Sequence, residues 1–159
     1  MAEEVIRRTV ESIARAYRFI VESMGIEIPR SYLERVLGEV SHIAIHELAH
    51  AVIHVVYPEI DELYRESEVL GECVDEVGGR ILEIYVSRGV GAPTHSFEEH
   101  VYELEHYSNL RGLGIRARDL EALYEEASRL IESKDLRKAV ELVVAKCRSL
   151  VESSRREGA

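Results

Sequence analysis

Apolar residues recur at three- and four-residue spacing along nearly the whole chain, and no stretch alternates as a half-buried strand would. The pattern predicts a first helix from about Ala2 to Met24, stopped by Gly25. A short extended segment, Ile26 to Pro29, follows. Ser31 and Glu34 then have capping-box spacing, the hydroxyl and the carboxylate each serving the other's free backbone amide. Helical periodicity continues to about Val56, with Gly38 a candidate kink and Pro58 an end signal. A third helix is expected from Val69 to Ser87, closed by Gly89. The segment Arg88 to His95 carries two glycines and a proline and is the clearest break in the chain. Ser96 and Glu99 form a second capping box opening a helix to about Leu110. Gly112 and Gly114 mark a turn, and two more helices are expected near Ala117–Ile131 and Asp135–Ser153. The expected fold is an all-α single domain of about six helices over residues 1–159, with no internal repeat or linker.

Within that pattern one segment, Ser41 to Pro58, is apolar apart from four histidines and one glutamate: His42, His46, Glu47, His50 and His54. Burying ionisable groups is costly unless they find partners or a metal. His46 to His50 reads His-Glu-Leu-Ala-His, an instance of H-E-x-x-H. On a helix, residues four apart share a face, so His46 and His50 can grip one ion. Glu47 lies about 100° round from His46, where a carboxylate reaches a metal-bound water without ligating the metal. A zinc ion would acidify that water and Glu47 would accept its proton.

A zinc site that leaves one position open for water needs a third protein ligand. The expected one is Glu72, at the start of a run with Glu76 one turn later and with Gly78 and Gly79 small enough to let two helices approach closely. Glu76 is expected to orient a histidine by accepting its N–H. The zinc site is therefore placed between the H-E-x-x-H helix and the Glu72 helix. A metal-free alternative for Glu72, Asp75 and Glu76 is a solvated helix face. His42 and His54 drift off the His46–His50 face by about 40° per four residues, which suits hydrogen-bonding or buried neutral roles, or a further ligand.

On these residues the chain resembles the gluzincin class of zinc metallopeptidases, which combine H-E-x-x-H with a glutamate ligand some twenty or more residues later, commonly as E-x-x-x-D. The match covers His46, Glu47, His50 and Glu72, with Glu76 where the aspartate is usual. The resemblance implies zinc-dependent hydrolysis of a peptide bond. It also implies a later histidine or tyrosine that steadies the tetrahedral oxyanion. His95, His100, His106, Tyr64 and Tyr102 are candidates, with His100 preferred. The class usually has a sheet before this helix; here only Ile26 to Pro29 is extended.

Composition narrows the field. Hydrophobic content of 46%, charged content of 31% and a net charge of −10 fit a globular protein. The acidic balance argues against nucleic acid as a partner, and no apolar run is long enough for a membrane span. The charged start lacks a signal-peptide core, making a cytoplasmic protein the default. Glutamine is absent and asparagine occurs once, a depletion seen in proteins from hot environments. Cys73 and Cys147 are read as two buried thiols or one bridge. Three functions follow: a zinc metallopeptidase acting on a peptide or protein; a non-catalytic zinc-stapled structural or regulatory protein; or a metal-free interaction module using its acidic faces. Homo-oligomers are compatible with all three.

Overall fold

The computed structural model describes Glu4, Arg7, Glu11, Glu22, Met24, Gly25, Ile45, His46 and residues 48–157. The chain divides into two compact units, Met1–Glu39 and Val40–Ala159. In the first, Glu4, Arg7, Glu11 and Glu22 are helical and Gly25 has φ +66°, a left-handed conformation suited to ending a helix. The expected extended segment, the Ser31–Glu34 capping box and Gly38 lie outside the described residues.

In the second unit, helix α1 covers residues 48–56, with Ile45 and His46 also helical. It stops ahead of Pro58, whose ring cannot continue the backbone ladder. Helix α2, Ile60–Glu66, was not anticipated. Its seven residues are too few for a clear period, and the break between it and the next helix is the single residue Ser67. That serine is extended (φ −160°), and its Oγ accepts from the Leu70 amide.

Helix α3, Glu68–Val90, is the centre of the unit. Buried residues lie all round it, including Val74, Val77, Ile81 and Ile84, so it packs neighbours on several sides. It runs past Gly89 and ends at Gly91, which takes the left-handed conformation (φ +70°) that closes a helix. Helix α4, Phe97–Leu104, opens with the expected reciprocal Ser96–Glu99 capping box. It is shorter than expected, giving way to turns and a 3₁₀ turn at Arg111–Leu113 closed by Gly114. Helices α5, Ala117–Glu132, and α6, Leu136–Glu157, are joined by a short turn.

The architecture is all-α, with six α-helices in the second unit, helical residues in the first and no strand among the described residues. Helix α3 packs against α2, α4, α5 and α6. Cys73 of α3 and Cys147 of α6, both fully buried, form a disulfide with a Cα–Cα distance of 5.9 Å. No helix among the described residues is long and apolar enough to cross a membrane.

Candidate metal centre

The two glycines expected to allow close helix packing do so. A Cβ on Gly79 would stand 3.1 Å from Cε1 of His50, and one on Gly78 would stand 2.7 Å from Cδ1 of Ile53. With no side chain at these positions, α3 lies directly under the histidine face of α1 and presents its carboxylates to it.

Three side chains converge there: His46, His50 and Glu76, whose ligand atoms lie within 4.8 Å of one another. The two Nε2 atoms are 3.1 Å apart, and His50 Nε2 is 3.5 Å from Glu76 Oε1. Four donors around zinc at ordinary bond lengths of about 2.0–2.1 Å are separated by about 3.3–3.4 Å along each tetrahedral edge. Two of the three separations are close to that edge, and this group can hold a metal ion.

The other ring nitrogens explain why both Nε2 atoms point inward. His46 Nδ1 donates to Glu83 Oε1 at 2.7 Å, and His50 Nδ1 donates to Asp75 Oδ1 at 2.8 Å. A carboxylate can only accept, so each Nδ1 carries the proton and each Nε2 is left with its lone pair. Two lone pairs 3.1 Å apart repel unless a cation or an extra proton lies between them. The donor set thus favours positive charge at its focus.

Asp75 gathers two further donors, His54 Nε2 at 3.2 Å and the Tyr64 hydroxyl at 2.9 Å. Burial alone would raise its carboxyl, but the bonds from His50, Tyr64 and His54 outweigh it and hold the group below its usual range. The Tyr64 hydroxyl is pushed up, by burial first and then by its bond to Asp75, and stays protonated as a donor. His54 takes the hydrogen-bonding role foreseen for it, while exposed to solvent.

The third member differs from the expected one. Glu76 joins the histidines, whereas Glu72 lies one turn away and accepts a 2.6 Å bond from Asn109 Nδ2. The orienting role expected of Glu76 is filled instead by Asp75 and Glu83. Counted from Glu76, the fourth residue on is Arg80, and the next buried carboxylate is Glu83. A lone glutamate inside the apolar run Ile81 to Val86 was the available signal for Glu83. For Glu76 the signal was its place one turn before Gly79, the glycine that faces His50.

His100 is fully buried, with Nε2 3.5 Å from Glu83 Oε2. It stands behind that carboxylate, a position unsuited to steadying a substrate oxygen. Tyr107, passed over in the sequence, neighbours the group: its hydroxyl is raised by burial first and then by the Glu76 carboxylate. Tyr107 also lines a cleft of about 460 Å³ with Arg80, Tyr102, Glu103 and His106. Glu47 and His42 lie outside the described residues. No protein-family model, curated protein or solved structure matches the chain, so its chemistry rests on this geometry.

Proposed function

We propose that this chain is a small zinc-dependent hydrolase acting on peptide bonds. The observation that carries the reading is the His46–His50–Glu76 group, whose ligand atoms lie within 4.8 Å of one another and whose two histidines have their Nδ1 atoms bonded to carboxylates. A zinc ion there would supply a Lewis acid that polarises the scissile carbonyl and acidifies water. Glu47 is the general base in this reading: its carboxylate takes a proton from the attacking water and hands it to the leaving amine. Tyr107 donates its hydroxyl hydrogen bond to the carbonyl oxygen as negative charge grows there. In this reading the substrate would use the cleft lined by Tyr102, His106 and Tyr107, which borders the metal group through Tyr107 and its neighbour Glu76.

The structural-zinc alternative needs a fourth protein ligand. Among the described residues the group has three members. A closing ligand could come from His42, His54, Cys73 or a loop histidine; of these, Cys73 is bonded to Cys147 and His54 to Asp75.

The test is metal content by elemental analysis, followed by a peptide-library assay. Wild type is expected to hold one zinc per chain, Glu76→Ala and His50→Ala to lose it, and Glu72→Ala to keep it. Glu47→Gln is expected to keep the zinc and lose hydrolysis by about a hundredfold or more. Hydrolysis undiminished in Glu47→Gln would end the metallopeptidase reading.

A further inference from the structure

We infer that His100 is a positioning residue for the metal centre: held by Arg80 and acting through Glu83, it fixes the ring of His46. The inference rests on the metal-centre reading above and adds a residue from α4.

The side chains form one chain of contacts. Arg80 Nη1 lies 3.4 Å from His100 Nδ1. A guanidinium can only donate, so His100 Nδ1 must be the accepting nitrogen and Nε2 must carry the proton. That N–H faces Glu83 Oε2 at 3.5 Å, while Glu83 Oε1 accepts from His46 Nδ1 at 2.7 Å. One carboxylate thus lies between two imidazole N–H groups on different helices. Its Oε1 is hydrogen-bonded to His46, and its Oε2 is in a longer, ion-pair-range contact with His100. Arg80 is itself anchored by an ion pair with Glu103 of α4.

Burial makes this arrangement informative. Glu83 and His100 are 0% exposed and Arg80 5%, and with Ser87 they are the buried polar residues among those described. Packing α4 against α3 does not require them, since apolar residues of similar volume are commonly as stabilising as a buried charged network. The chain ends on His46, and orienting that ring is what an apolar interface could not do. Burial also pushes His100 down to about 4, with Glu83 opposing and Arg80 assisting, so the ring stays neutral and Nδ1 keeps its lone pair toward Arg80.

The experiment measures zinc affinity by chelator competition, and the visible spectrum of the cobalt-substituted protein, on the full chain. The variants are His100→Leu, His100→Gln, Glu83→Gln and the Glu83→Gln/His100→Leu double. His100→Leu is expected to weaken zinc binding about tenfold and to shift the cobalt bands, while His100→Gln stays within about threefold. Glutamine can still accept from Arg80 and donate to Glu83. The double variant is expected to bind no more weakly than Glu83→Gln alone, because His100 acts through that carboxylate. Wild-type affinity and spectrum in His100→Leu, or penalties that multiply in the double, would overturn the inference. Should metal-free His100→Leu lose its helical signal, His100→Asn, polar but too short to span both partners, carries the same test. A wild type that binds neither zinc nor cobalt would remove the metal centre itself. Normal wild-type binding with an indifferent His100 would remove this inference alone.

Discussion

Glu72 and Glu76 are the same residue type on the same helix, separated by a single turn of about 5.4 Å. Their neighbours give them different tasks. Asn109 donates to Glu72, and the histidine pair faces Glu76. Removing the Glu72 carboxylate takes away one part-buried hydrogen bond, and a loss of about 1 kcal/mol in stability is expected with metal content unchanged. His100 makes a second residue-scale prediction. Its unfolded value of 6.5 falls to about 4 in the folded chain, where Glu83, Arg80, Glu103 and His95 surround it. Between those values the unfolded state binds a proton that the folded state refuses. Stability of the metal-free protein should therefore hold above pH 6.5 and decline as pH falls toward 4. In His100→Gln that part of the decline should vanish, as chemical denaturation at stepped pH would show.

At the scale of elements, glycines of α3 set how closely its neighbours approach. A Cβ on Gly71 would stand 2.4 Å from the Tyr64 ring and 2.8 Å from its Cα, so α2 would have to move. Gly71→Ala should destabilise by about 1–3 kcal/mol despite the better helix propensity of alanine. Gly89, in the same helix, meets nothing within 4 Å. Gly89→Ala should stabilise by roughly 0.5–1 kcal/mol. Urea melts of the two variants would check that opposite sign. Two elements were misjudged in the sequence for physical reasons. Helix α2 is too short for periodicity to register, and the end of α3 was assigned to Gly89 when the left-handed cap is Gly91, two residues on. The Ser96–Glu99 capping box was legible because it is local, satisfied by atoms three residues apart.

For the molecule as a whole, the Cys73–Cys147 bridge joins the helix that bears Glu76 to the last helix, across a separation of 74 residues. Closing a loop of that length restricts the unfolded chain, and its removal should cost about 4 kcal/mol. For a chain of this size, that corresponds to a melting point lower by roughly 10–15 °C in the Cys73→Ser/Cys147→Ser double variant. Calorimetry with and without reductant would measure it.

The sequence by itself determined what depends on neighbours along one helix. Period-3.6 patterning makes the chain all-α. The i, i+4 spacing puts His46 and His50 on one face, and paired glycines mark where another helix can come close. Only the tertiary structure decided the register between helices. Sliding α3 by one turn would exchange Glu72 for Glu76 without altering its hydrophobic pattern, so spacing could not choose between them. Contacts across helices made the choice: Gly79 under His50, Gly78 under Ile53 and Tyr64 over Gly71. The same packing brought Glu83 to His46 and His100 to Glu83, pairs 37 and 17 residues apart in the chain. No local rule links such positions, because a buried carboxylate's partner is chosen by the helix that folds against it.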